Sequence, residues 1–131
     1  MTAIDTNVLV RLVVRDNLPQ YEQSLAFVEK HRPVWVAHLS MLELAWVLLS
    51  CYRLEKAKVC EVMLALLEMA ELHIQQPAVI EAAVRTWQVS TVDFADAFIL
   101  ETARAAAEMP LGTFDAALGR LEDVQVIGAV R

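Results

Sequence analysis

Apolar runs of only three to five residues alternate along this chain with stretches long enough for several turns of helix, and no other pattern narrows the fold so much. The runs are residues 2–5, Val34-Trp35-Val36, Leu72-His73-Ile74, Leu111-Gly112-Thr113-Phe114 and Val124-Gln125-Val126-Ile127. Short apolar runs of this kind read as buried strands. Strands separated by helices need crossover connections, which make them parallel and cover the sheet with helices. The expected class is therefore α/β: a three-layer domain with a central parallel sheet of four to five short strands flanked by helices.

Between the runs, helices are expected over residues 6–14, 19–31, 40–52, 55–69, 77–87 and 93–107, with a short one over 115–121. Asp16-Asn17-Leu18-Pro19 reads as the first turn. Tyr21, Leu25 and Val28 form the expected buried stripe of the second helix. Val59, Val62, Met63, Leu66, Leu67 and Ala70 form that of the fourth. No linker or repeat interrupts the 131 residues, so one domain, 1–131, is expected.

Hydrophobic residues make up 57% of the chain, yet Glu43, Arg53, Glu61, Glu68 and Glu71 break its richest region before any run approaches the ~18 residues of a membrane span. The excess apolar surface points to a tight core plus a hydrophobic face for a partner. The start, Met1-Thr2-Ala3-Ile4-Asp5, has no basic n-region, so no signal peptide is expected there. Cys51 and Cys60 lack ligand spacing and read as reduced, buried thiols, which suits the cytoplasm. His31, His38 and His73 also lack ligand spacing, and Trp35, Trp46 and Trp87 read as core or interface. A net charge of −6 argues against a simple nucleic-acid coat. It leaves room for an enzyme on nucleic acid, because a bound divalent cation inverts the local charge.

Four acids, Asp5, Glu43, Asp96 and Asp115, each follow a short apolar segment or stand in the first turn of an expected helix. Singly, each has a structural explanation. Asp5 and Asp115 can cap helices, and Ser40-x-x-Glu43 has the form of a capping box with Glu43 reaching back to the Ser40 N–H. Asp96 is harder to explain that way. It stands within Phe94-Ala95-Asp96-Ala97-Phe98-Ile99-Leu100, with no Lys or Arg one turn away and Asp93 three residues before it. A carboxylate buried there is costly unless something pairs it. A divalent cation would do so, and hard oxygen ligands suit Mg²⁺ or Mn²⁺. Ligands in parallel sheets bind beyond the carboxyl ends of the strands, where Asp5 and Asp115 belong.

The segments AIDTNVLVRLVVRD, LSMLELAWVL, VDFADAFILETA and LGTFDAAL, in that order and spacing, resemble the PIN-domain ribonucleases. Within them the likeness is strongest to the VapC-type toxins of bacterial toxin–antitoxin pairs. It covers essentially the whole chain and implies a PIN-like three-layer fold. Carried over residue by residue, the acidic quartet falls on Asp5, Glu43, Asp96 and Asp115, with Asp93 an accessory acid. The polar companions that orient the carboxylates fall on Thr6, Asn7 and Thr113.

The resemblance implies hydrolysis of an RNA phosphodiester with Mg²⁺ (Mn²⁺ is also compatible). Asp5 and Asp96 would bind the metal directly, and Glu43 and Asp115 through water or with a second ion. Arg11 and Arg15 are the expected RNA contacts, with Arg53, Lys56 and Lys58 as further candidates. A cognate antitoxin and a homodimer are the expected partners, covering the apolar helix of Met41 to Leu49 and the stripe after it. Two other readings remain: an aspartate-nucleophile phosphotransferase, disfavoured by Asn7 and the lack of any Lys after Lys58, and a non-catalytic binding module.

Overall fold

The computed structural model describes residues 1–128. The chain divides into two compact units, one of Met1–Pro77 and one from Ala78 onward.

The first unit contains β1 (Ala3–Ile4), α1 (Thr6–Val13), α2 (Leu18–His31), β2 (Val34–Val36), α3 (His38–Ser50), α4 (Lys56–Leu67) and β3 (Leu72–Ile74). Its sheet runs β1-β2-β3, parallel throughout, with Ile4 beside Val36 and Val36 beside Ile74. The next residues along, Asp5, Ala37 and Gln75, therefore share the carboxyl edge of the sheet. α1 packs on α2 and α3, and α4 on α3 and β3. Val34, Val36, Met41, Leu44, Leu48 and Met63 are fully buried and form the centre of this core.

The second unit holds α5 (Pro77–Gln88, entered from the last residue of the first unit), α6 (Phe94–Ala105), β4 (Leu111–Thr113), a 3-10 turn (Leu118–Arg120) and β5 (Val124–Val126). β4 and β5 pair in parallel, Leu111 beside Val124 and Thr113 beside Val126. Ile80, Val84 and Leu100 are fully buried, and Trp87, Phe94 and Phe98 form a run of ring contacts.

The α/β class and the parallel pairing are as expected, and every strand and helix falls within a few residues of its expected place. The five strands are shared between a three-stranded and a two-stranded ladder. An apolar pattern identifies a strand but not the edge it will pair with.

Four local expectations need correction. Leu25 is 40% exposed, and Ser24 takes its place on the buried stripe with Val28. Cys51 is exposed, while Cys60 is buried, and burial raises its thiol pKa. The helix expected over 115–121 is only the 3-10 turn. Ala70, expected on the buried stripe of α4, lies beyond the end of that helix and is exposed. No helix among the described residues is long and apolar enough to cross a membrane.

Candidate active site

In the first unit the chain leaves β1 through Asp5, the N-cap of α1. Asp5 Oδ1 accepts the Val8 N–H at 3.1 Å. That bond satisfies one of the free amides of the helix start. Asp5 is exposed, and no other hydrogen bond from a described residue reaches its carboxylate.

Glu43 is not a partner of Ser40. α3 starts at His38, three residues earlier than the capping-box pattern indicates, and its N-cap Ala37 makes no side-chain bond. Gln75 supplies the cap from the end of β3, its Oε1 accepting the His38 N–H at 3.1 Å. Ser40 is buried inside the first turn, so Glu43 is free to face elsewhere. Its Oε1 accepts the Thr6 hydroxyl at 2.5 Å. Two elements thus fix the first acidic pair: Asp5 is held by its own helix, and Glu43 by the residue next to Asp5.

In the second unit Asp115 is held twice. Its N–H donates to Thr113 Oγ1 at 3.0 Å, and its Oδ2 accepts the Leu118 N–H at 2.8 Å, closing the 3-10 turn. Thr113 therefore orients Asp115 through its backbone rather than through its carboxylate. Asp96 stands in the first turn of α6 and is half-buried, where full burial was expected. Its flanks Ala95 and Ile99 are exposed while Ala97, Phe98 and Leu100 are buried, so Asp96 lies on the margin of the core face.

No hydrogen bond from a described residue reaches the Asp96 carboxylate. Its pKa is raised, first by desolvation, then by the negative charges of Asp93 and Asp115. Asp93 is the N-cap of α6, is exposed, and makes no side-chain capping bond.

A divalent cation suits these donors. Among the described residues no group of three or more His, Cys, Asp and Glu side chains closes into a cage for a metal. Mg²⁺ does not require one, since it retains several waters and is commonly held by one or two carboxylates. Asp96 offers hard oxygens that no donor among the described residues occupies, in a region whose neighbouring charges disfavour a bare anion.

The remaining candidates divide differently. Asn7 is exposed and hydrogen-bonds to no carboxylate among the described residues. Arg11 pairs with Asp16 at 3.0 Å, and Asp16 also accepts the Tyr52 hydroxyl at 3.0 Å. Arg15 lies beyond the end of α1, its guanidinium 4.6 Å from the centre of the Tyr21 ring.

One polar cluster was not foreseen. Glu101, 8% exposed on α6, accepts from Thr86 Oγ1 at 2.6 Å and from Arg104 Nη1 at 2.7 Å. Arg104 in turn reaches Asp123 and the Glu122 carbonyl ahead of β5. This cluster ties α6 to the β4–β5 ladder and is structural. Glu-x-x-Arg is so common on exposed helix faces that its spacing alone carries no signal.

No curated protein is similar enough to the chain to count as a relative. The family model of the PIN domain, by contrast, matches residues 2–124, which takes in all four carboxylates and both threonines that hold their neighbours. With that match over nearly the whole sequence and an α/β fold of parallel strands beneath it, the chain belongs to the PIN-domain family.

Proposed function

We propose that this chain is a Mg²⁺-dependent endoribonuclease and the toxin of a type II toxin–antitoxin pair. PIN domains are in general nucleases that use divalent metal ions, so membership of the family supports a nuclease-type hydrolase. The observation that carries the reading furthest is Asp96: a half-buried carboxylate with two acids acting on it and no donor upon it among the described residues.

The ligands we assign are Asp5 and Asp96 first, then Glu43 and Asp115, with Asp93 accessory. A divalent ion held by these oxygens would supply Lewis acidity toward the phosphate and lower the pKa of a water. The residues themselves do the rest. Asp5 and Asp115 keep their positions through the turns they cap, each with one carboxylate oxygen committed to an N–H. Glu43, held by Thr6 through one oxygen, has the other available to accept a proton from an attacking water.

The partners in this reading are RNA, a cognate antitoxin and a second copy of the chain, in the cytoplasm. Leu39 (56% exposed) and Trp46 (63% exposed) stand on one face of α3, with Leu42 and Leu49 half-exposed beside them. A stripe of that kind on a helix supports a protein partner.

Incubation of the purified chain with RNA in Mg²⁺, in EDTA, and in EDTA followed by excess Mg²⁺ tests the reading. Cleavage is expected only with the metal, lost in Asp5→Asn and Asp96→Asn, with no acyl-phosphate trapped. Undiminished cleavage by the metal-stripped chain, or by Asp96→Asn, would overturn it. Growth arrest on induced expression, relieved by a small co-encoded protein and absent with Asp5→Asn, tests the toxin role.

A further inference from the structure

The two cations assigned to RNA are already engaged, Arg11 with Asp16 and Arg15 with Tyr21. The first unit carries a surface beside Arg11 that suits another part of a substrate. A groove of about 600 Å³ lies along α1 and α2, lined on the α1 side by Asp5, Asn7 and Arg11 and on the α2 side by Gln20, Gln23 and Phe27. Its volume is in the range that holds a small organic ligand.

The lining chemistry is specific. The side-chain amides of Gln20 and Gln23 are exposed and carry no hydrogen bond to another described residue. Each offers paired donor and acceptor positions, the arrangement that reads the edge of a base. Phe27 is 40% exposed, and its ring is backed by His31, with centroids 4.5 Å apart. An exposed, supported ring is a stacking platform for a base.

The charge balance favours a base over a phosphate here. The one cation among the described lining residues, Arg11, is spent on Asp16, and Asp5 adds a negative charge. The apolar part of the lining, Ala3, Ile4, Val8 and Phe27, suits the flat face of a base, and the hydrogen-bonding side chains on both helices suit its edge.

We propose that this groove seats one nucleobase of a single-stranded RNA, stacked on Phe27 and read by Gln20 and Gln23, beside the Asp5 carboxylate. The inference rests on the nuclease reading and adds to it where sequence preference would originate.

The test is binding of labelled single-stranded RNA homopolymers of about twelve nucleotides, a length that spans typical single-strand sites. Fluorescence anisotropy of the full chain carrying Asp96→Asn, in Mg²⁺, reads affinity without cleavage. Phe27→Ala is expected to raise Kd about tenfold, the loss of one stacked base, and Phe27→Tyr to stay within about twofold. Gln23→Ala should raise Kd unequally among the homopolymers, changing their order. Melting curves confirm that each variant folds, and Phe27→Tyr with Gln23→Ala carries the test if Phe27→Ala does not.

Unchanged affinities in the folded Phe27→Ala and Gln23→Ala variants overturn the groove assignment. So does an unchanged RNA affinity accompanied by lost binding of a partner protein, which would give the groove to that protein. If the parent chain still cleaves RNA through Asp5 and Asp96, only the groove assignment falls. If a folded chain neither binds nor cleaves RNA, the nuclease reading falls with it.

Discussion

Thr6 and Glu43, 37 residues apart in sequence, meet through a hydrogen bond of 2.5 Å from the threonine hydroxyl to Glu43 Oε1. The bond reaches from the first residue of α1 to the first turns of α3 and sets which oxygen of Glu43 stays available. Thr6→Val keeps the shape and removes the donor. Cleavage of RNA should fall by about tenfold, the low end of what loss of a supporting bond to a metal-site group costs. The melting temperature should move little, because both groups are at the surface. Thr6→Ser should restore the rate; failure of that rescue would mean the bond does not position Glu43.

Asp96 gives a pH prediction. Its pKa is raised by desolvation, Asp93 and Asp115, so the folded state holds the proton more tightly than the unfolded chain does. The stability it contributes is complete below the ordinary carboxylate range and is lost as pH rises through the raised value. In EDTA at pH 7, Asp96→Asn should therefore melt higher than the parent, by about 1–2 °C for relief of like-charge repulsion. Below the ordinary carboxylate range the two should coincide. Mg²⁺ should raise the parent's melting temperature more than the variant's. A variant that melts lower than the parent at pH 7 without metal would contradict the assignment.

Arg104 is the sole cation on buried Glu101 among the described residues. Arg104→Leu would leave that carboxylate with only the Thr86 hydroxyl and also release Asp123 and the Glu122 carbonyl. Urea unfolding should show a loss of about 2–3 kcal/mol, somewhat under the usual cost of orphaning a buried charge because Arg104 is partly exposed. Adding Glu101→Gln should recover much of it, since an amide does not need a counter-charge.

Two small residues should respond with opposite signs. A Cβ on Gly119 would stand 2.2 Å from Val126 Cγ2, so Gly119→Ala must turn the Val126 side chain or shift the 3-10 turn from β5, at about 1–3 kcal/mol. Ala107 has φ +58°, one residue past the C-cap of α6, with the Glu108 N–H returning to the Ala103 carbonyl. That is the left-handed helix ending glycine prefers, and Ala107→Gly should stabilise the fold by about 1 kcal/mol. Thermal melts of the two variants decide both.

Much of the fold was legible because local signals sufficed. Three-residue apolar runs bounded by helical periodicity located β2 and β3 to the residue, and Pro77 marked the start of α5. Asp5 as a cap was legible for the same reason, its Val8 partner being three residues away. The misreadings share a cause at a distance. Ser40-x-x-Glu43 has the letters of a capping box, but Gln75 sets where α3 starts and Thr6 claims Glu43. Neither partner can be inferred from residues near Ser40. Asp96 was read as enclosed because its neighbours in sequence are apolar, yet its position around α6 leaves it half-exposed.

The amide of Gln75 has a consequence for the order in which the first unit can form. The N–H of His38 finds its acceptor on a residue 37 positions later, and the Gln75 N–H itself donates to Val36 to extend the β2–β3 ladder. A nascent chain released only as far as α4 would have a frayed start to α3, with Glu43 one turn away. Hydrogen exchange at His38 should therefore report the joint opening of β3 and α3, making that amide a slow clock for sub-global unfolding rather than for fraying at a helix end.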